Sequence, residues 1–248
     1  MNYIDVKNVS KVFTTSRGDF KVLESVNLSI EEGEFVCLVG ISGGGKTTLL
    51  RMMAGFETPS SGEIICGNAK VTKPLLKHAY VFQDFNQLLP WKTARQNIGY
   101  SLRRTSLSKR EQNDKVDELL KLVNMEDSAG KYPHALSGGM KQRIAIARAL
   151  ATNPKVIFMD EPFSALDEPT RENLSRKLLE IWEGHTSLTI VFVTHNLQEA
   201  ILLSNKIVVI GGKPGSIIAV EKNNVEGQRL PSDRGYAALW SSLRASME

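Results

Sequence analysis

Two stretches of this chain are suited to holding phosphate, and others carry side chains able to act on it. Gly40-Ile41-Ser42-Gly43-Gly44-Gly45-Lys46-Thr47 matches G-x-x-x-x-G-K-[ST] at every fixed position. It lies between Phe35 to Val39, which reads as a strand, and Thr47 to Ala54, which reads as a helix. Glycines let backbone amides converge on phosphate oxygens, and the following helix adds the positive end of its dipole. Lys46 would then reach the β- and γ-phosphates, and the Thr47 hydroxyl would ligand Mg2+. The bland alternative is a Gly-rich turn that happens to end in Lys-Thr, and the strand-loop-helix context argues against it. Farther along, Leu136-Ser137-Gly138-Gly139-Met140 opens a helical segment. Its first amides and hydroxyl can also bind an anion.

Val156-Ile157-Phe158-Met159-Asp160-Glu161 is an apolar run ending in two carboxylates. Phosphoryl transfer to water needs a metal, charge stabilisation and a positioned nucleophile. Asp160 is placed to hold Mg2+, directly or through water, and Glu161 to polarise the attacking water. A solvated acidic turn is the alternative, but carboxylates closing an apolar strand suit the metal site better. His195 follows the strand-like Ile190 to Thr194, and Gln83 ends His78 to Gln83. A lone His or Gln at a strand end is more often structural or solvated.

Leu136 to Leu150 closely resembles the signature of ABC-transporter ATPases. Ser164-Ala165-Leu166-Asp167 and Thr194-His195 resemble that family's D-loop and switch histidine, in the family's order. The resemblance runs from about Tyr3 to Val220. It implies a fold: an α/β P-loop NTPase (RecA-like) core, with an N-terminal antiparallel β subdomain and an inserted α-helical subdomain. It implies ATP and Mg2+ as cofactors and gives the residues roles. Gly40, Ser42, Gly43, Gly44, Gly45, Lys46, Thr47 and Thr48 would hold the phosphates. Thr47, Gln83 and Asp160 would serve the metal, and Glu161, His195, Gln83 and Lys46 the reaction. Ser137, Gly138 and Gly139 would complete the nucleotide site of a second copy in a head-to-tail homodimer. Phe13 aligns with the base-stacking aromatic; Phe20 and Tyr3 compete, and a plain β-core aromatic stays open. Asn196 stands where many relatives carry Asp, and Met140 where Gln is commoner.

The elements that must position these residues alternate between strand and helix. Short strands are expected at Tyr3 to Val9, Phe20 to Leu23 and Val26 to Ile30, then Glu63 to Gly67. A helical region follows from about Phe85 to Leu150. Within it, Val116, Leu119, Leu120 and Val123 make an apolar face and Ser108 with Glu111 a capping box. Then come strand Val156 to Asp160, helix Thr170 to Glu183, strand Thr189 to Thr194, helix Leu197 to Leu203, and a hairpin over Lys206 to Val220. The expected division is an ATPase domain over 1–225, its helical subdomain inserted at about 86–150, and a helical tail over 226–248. Tyr236, Leu239, Trp240 and Leu243 give that tail a stripe that packs on its own domain.

With 248 residues, 42% hydrophobic and 23% charged, the chain suits one soluble domain with a subdomain. No run approaches the roughly 18 apolar residues of a membrane span, and the N-terminus lacks a signal peptide's pattern. A cytosolic location is therefore expected, unless a membrane partner holds the chain. A net charge of +4 is too diffuse to argue for nucleic acid. Cys37 and Cys66 read as reduced structural thiols.

Leu88-Leu89-Pro90-Trp91, with the Met-type signature, resembles the nitrate/sulfonate/taurine group of import ATPases. That implies uptake of a small anionic solute through two permease transmembrane subunits, served by an extracytoplasmic solute-binding protein. The location it implies is peripheral, on the cytoplasmic face of the inner membrane. Leu88, Leu89 and Trp91 form either an apolar lip for a permease helix or part of their own domain's core. An ABC exporter ATPase is the serious alternative. A soluble non-transport ABC ATPase would carry a long coiled coil or two ATPase units, and neither is seen.

Overall fold

The structure is a computed structural model that describes residues 2–16 and 18–247, with Arg104 described by its backbone alone. The chain begins with β1 (Asn2–Thr15), β2 (Gly18–Glu31), β3 (Phe35–Gly40), α1 (Lys46–Met53), β4 (Ser61–Cys66), β5 (Ala69–Lys70) and β6 (His78–Val81). The helices α2 (Ala94–Ser101), α3 (Lys109–Leu122) and α4 (Gly138–Leu150) come next, then β7 (Val156–Asp160) and α5 (Glu168–Glu183). Finally come β8 (Thr189–Val193), α6 (Leu197–Leu203), β9 (Lys206–Gly211), β10 (Ser216–Lys222) and α7 (Tyr236–Met247). They form two compact units: residues up to Leu76 together with those from Trp182, and Lys77–Ile181.

In the first unit, a period-two pattern buries Ile4, Val6 and Val9 of β1 and Val26, Leu28 and Ile30 of β2. The three short strands expected here are two long ones. Register shifts, one of them between Val6 and Val9, absorb the breaks in alternation that made the segments look separate. The sheet order is β2-β1-β4-β5. β3 runs parallel to both β8 and β9, and β10 pairs antiparallel with β9. Every residue of β3 and β8 is buried, as continuous apolar runs require when both strand faces are covered. Gly215 fastens β2 to this set: its amide donates to Val22 O at 2.9 Å and its carbonyl accepts from Glu24 N at 2.9 Å. Trp182 donates from Nε1 to Gly33 O at 2.9 Å and sets its ring edge-on against Phe35. The tail stripe packs on its own unit: α7 lies against α6, β9 and β10, with Tyr236 and Leu243 buried. Cys37 and Cys66 are buried thiols, and burial pushes the Cys66 thiol up to about 11.

In the second unit, β6 pairs in parallel with the fully buried β7. The expected capping box closes the start of α3: Ser108 Oγ accepts from Glu111 N at 3.3 Å, and Ser108 N donates to Glu111 Oε2 at 2.7 Å. Val116, Leu119, Leu120 and Val123 are buried, as their spacing predicts. Thr93 and Gln96 form a second capping box on α2.

His78 opens β6 with its ring edge-on to Phe158, and burial lowers its pKa from 6.5 to about 4. The folded ring therefore stays neutral down to about pH 4, while the unfolded chain takes up a proton near 6.5. Over that window the unfolded state binds more protons, so His78 weakens the fold as pH falls. The loss of stability between pH 6.5 and 4 should be shallower in His78→Phe than in the parent, read from denaturant melts at successive pH. Equal slopes would remove His78 as a source of acid sensitivity.

Candidate functional site

In the first unit, the phosphate loop leaves β3 at Gly40 and enters α1 at Lys46. Gly40 has φ 144°, and a Cβ there would stand 1.9 Å from Ile210 O. Gly45, at the N-cap of α1, has φ 91°, and its Cβ would meet Leu23 Cδ2 at 2.5 Å. The N-cap of α1 is a glycine with no side-chain cap hydrogen bond, and the amides at a helix N-terminus suit an anion. Lys46 is only 6% exposed, and its Nζ donates to Gly40 O at 2.9 Å and Ile41 O at 2.8 Å. Ser42 and Gly43 are exposed, Gly44 is buried, and Thr47 and Thr48 are half-buried. A bare-backbone cradle ending in a lysine and two hydroxyls fits a phosphate chain.

Leu38 of β3 pairs with Val193 of β8, so Gly40 and His195 both follow the C-terminal ends of neighbouring parallel strands. Ligands of parallel sheets bind at that edge. His195 is exposed there. Its neighbour Asn196 caps α6, accepting through Oδ1 from Gln198 N at 2.8 Å and Glu199 N at 3.4 Å. Asn196 thus has a structural task, one that an Asp would perform as well.

Phe13 and Phe20 are cross-strand partners at one end of the β1–β2 hairpin, 36% and 60% exposed. Lys11 Nζ sits 4.7 Å from the Phe13 ring centre while donating to Glu57 Oε1 at 2.6 Å and Thr58 O at 2.7 Å. Tyr3 lies at the other end of β1, half-buried, its hydroxyl pushed up to about 12, chiefly by burial.

In the second unit, Asp160 is 1% exposed, and the Tyr80 hydroxyl donates to its Oδ2 at 3.4 Å. Glu161 turns the chain with φ 44°, in the left-handed region that a Cβ disfavours. The turn is fastened by Ser164, whose N and Oγ donate to Glu161 O at 3.2 and 2.9 Å. Gln83 Nε2 donates to Glu161 Oε2 at 3.4 Å, bringing two of the expected catalytic side chains together. Ser137 caps α4, its Oγ accepting from Met140 N at 3.3 Å. A Cβ on Gly139 would stand 3.1 Å from Ala165 O, so the Ser164-to-Asp167 segment lies against the signature glycines. Hydrogen bonds from Thr170 lower the Asp167 pKa, with a smaller contribution from the Arg143 charge.

Among the described residues, no three His, Cys, Asp or Glu side chains are grouped to hold a metal. A buried carboxylate such as Asp160 would suit Mg2+, which is bound through one or two carboxylates rather than by a dedicated cage of protein ligands.

Residues 23–164 match the ABC transporter family. The chain is 41% identical over 245 residues to the aliphatic sulfonates import ATP-binding protein SsuB of Bacillus thuringiensis subsp. konkukian, covering 99% of this chain and 96% of that protein. It is 41% identical over 235 residues to the nitrate import ATP-binding protein NrtD of a Synechocystis species, covering 94% and 88%. Among solved structures, a dimeric ATP-binding cassette in a post-hydrolysis state with ADP and phosphate superposes with a TM-score of 0.80. That chain is 35% identical, and the match covers 89% of this chain and 99% of that one. The chain belongs to the ABC transporter family. Its fold is the expected P-loop α/β cassette, and it is an ATP-binding subunit.

In this cassette the Leu88-to-Trp91 lip divides. Leu88 is core at 5% exposure, whereas Trp91 is 69% exposed. Sequence reasoning missed Asn97, fully buried, whose Oδ1 accepts from Leu89 N at 2.8 Å and whose Nδ2 reaches Leu89 O and Lys92 O. It also missed Gln87 and Gln142, whose amides bond Phe82 beside Gln83. Their only sequence signal was a polar residue inside an apolar helical pattern.

Lys46→Ala should weaken nucleotide binding at least about tenfold, through loss of a charge-assisted phosphate contact. The fold should persist, since the Lys46 ammonium bonds carbonyls of its own loop, Gly40 O and Ile41 O. Titration with ATP checks this; undiminished affinity would count against the phosphate-loop assignment.

Proposed function

We propose that this cassette hydrolyses ATP with Mg2+ to drive import of a small anionic solute through separate permease subunits. The observation that carries the catalytic part is Gln83 Nε2 on Glu161 Oε2 at 3.4 Å, at the end of a fully buried strand. A carboxylate held by an amide donor and aimed from a strained turn is suited to orient and polarise a water. Gly40, Ser42, Gly43, Gly44, Gly45, Lys46, Thr47 and Thr48 hold the phosphate chain; Phe13 takes the base. Thr47, Asp160 and Gln83 serve Mg2+, which when bound neutralises the charge that develops on the phosphate oxygens. His195 steadies the γ-phosphate. Ser137, Gly138 and Gly139 act on the nucleotide of a second copy, consistent with the dimeric cassette that this chain resembles.

Import and anion selectivity rest on the sulfonate and nitrate relatives. Among the described residues no helix is long and apolar enough to cross a membrane, so translocation falls to partner subunits. A solute-binding protein outside the membrane and a peripheral place on its cytoplasmic face belong to the same reading. So does the division into a cassette over 1–225, with a helical insertion at about 86–150, and a tail over 226–248. Trp91 supplies the docking contact, because an indole 69% exposed does nothing for its own core.

Glu161→Gln should retain ATP affinity while turnover falls about a hundredfold or more, since the γ-phosphate contacts survive and the polarising carboxylate does not. ATP should then trap a dimer, visible by size exclusion. Parental turnover in this variant would remove Glu161 from catalysis. Trp91→Ala should leave the isolated subunit's stability within about 0.5 kcal/mol. In cells it should cost about 2 kcal/mol of affinity for a multi-spanning membrane protein, read as lost co-purification and uptake. Unfolding of the isolated subunit with an intact complex would instead make Trp91 a packing residue.

A further inference from the structure

Gln142 lies in α4, one turn beyond the Ser137 cap, and is 1% exposed. A primary amide so deeply buried must have its hydrogen-bonding groups met inside the protein. Its Nε2 donates to Phe82 O at 3.1 Å, and its Oε1 accepts from Gln87 Nε2 at 3.2 Å. Gln87 Nε2 also donates to Phe82 O at 2.9 Å and Asp84 O at 3.1 Å, while Gln87 Oε1 accepts from Phe82 N at 3.2 Å. Arg148, a further turn and a half along α4, donates from NH1 to Gln87 O at 2.9 Å. The Phe82 carbonyl belongs to the peptide bond that leads into Gln83. The segment carrying Gln83 is therefore gripped on both sides, by Gln87 locally and by α4 through Gln142.

We propose that Gln142 is a positioning residue for the ATPase reaction, setting the direction of Gln83 from the signature helix. It rests on the role given to Gln83 above. β6 ends at Val81, so Phe82 is the first residue past the strand, and its carbonyl accepts from both Gln142 and Gln87. A shift of α4 along its axis, driven from the Ser137 end, moves the Gln142 donor and with it the 82–83 peptide plane. Gln83 Nε2 then leaves or approaches Glu161 Oε2. Hydrogen-bonded amides of this kind have discrete arrangements, which is what coupling between two sites requires. The signature and the water-polarising carboxylate thereby answer to one helix.

The test uses full-length protein and steady-state ATP hydrolysis. Gln142→Met fills the same space without donor or acceptor. Gln142→Glu keeps an acceptor for Gln87 but, when ionised, sets a carboxylate oxygen against Phe82 O in place of the donor, with the added cost of a buried charge. Each should lower kcat about tenfold with KM for ATP within about twofold, because nucleotide binding is untouched and only alignment is lost. In a Gln83→Ala background neither should reduce kcat further, since the residue being aligned is gone. Thermal melts identify any variant that fails to fold, and Gln142→Glu carries the test if Gln142→Met does so. Unchanged kcat in a folded Gln142 variant overturns the proposal, as does a loss that persists undiminished in Gln83→Ala. If Gln83→Ala itself leaves kcat unchanged, the role of Gln83 fails, and the inference falls with it for that separate and identifiable reason.

Discussion

Main-chain amides can close around a phosphate chain only where no side chain stands between loop and scaffold. Gly40 and Gly45 meet that constraint in different ways. At Gly40 the loop leaves β3 so close to Ile210 O that a Cβ has nowhere to go; at Gly45 it passes beneath Leu23 into α1. Both neighbours are fixed in turn. Ile210 lies on β9, which is held by β3 itself, and Leu23 lies on β2, which Gly215 ties to the same strands. The long N-terminal hairpin is thus part of the cradle's wall, not an appendage to it. A completely buried β3 supplies the rigidity, since the register of such a strand cannot slip without carrying the whole loop with it.

The second unit solves a different problem, which is how to present polar groups from a dry interior. Asp160 is enclosed at the end of a buried strand with a tyrosine hydroxyl for company. Gln142 and Asn97 are enclosed as well, and each spends its amide on backbone groups that the sheet and helices cannot reach. Each unmade hydrogen bond at such a site costs about 1–3 kcal/mol. These amides therefore determine the loops they bond to, and the loops before α2 carry Gln83 and Trp91. The placing of Gln83 and that of the exposed Trp91 are both consequences of buried amides.

Much of this was legible in the sequence where the signal is local. The helix over Leu197–Leu203 was read from its pattern with its bounds intact, and the capping box at Ser108 and Glu111 fixed the start of α3. The phosphate loop was legible because glycine type and spacing encode its backbone directly. Less was legible where distant residues decide. The bulges that fuse the N-terminal strands depend on pairing partners, and a bulge looks like a break when one strand is read alone. Leu88 and Trp91 are three residues apart and equally apolar, yet one is core and the other surface. No window of sequence separates them, because the difference is made by Asn97, which bonds the backbone of Leu89 and Lys92. Gln142 was invisible for the same reason: alone in a helical pattern, a glutamine reads as solvated.

The adjacent carboxylates show how a small backbone choice separates two chemistries. Asp160 is the last residue of β7, extended and buried. Had Glu161 continued the strand, its side chain would have crossed to the opposite face and its backbone would have joined the ladder. Instead the chain breaks into the left-handed region at φ 44°, at a cost of about 1–2 kcal/mol for a residue with a Cβ. The Ser164 bonds to the Glu161 carbonyl offset that cost by closing the turn. The outcome is one carboxylate kept from water and one half-buried within reach of Gln83. A dry carboxylate is suited to a metal that tolerates few protein ligands, and a partly wet one to a water that must enter and leave each cycle. The left-handed turn at Glu161 is what gives two identical functional groups, one residue apart, different surroundings.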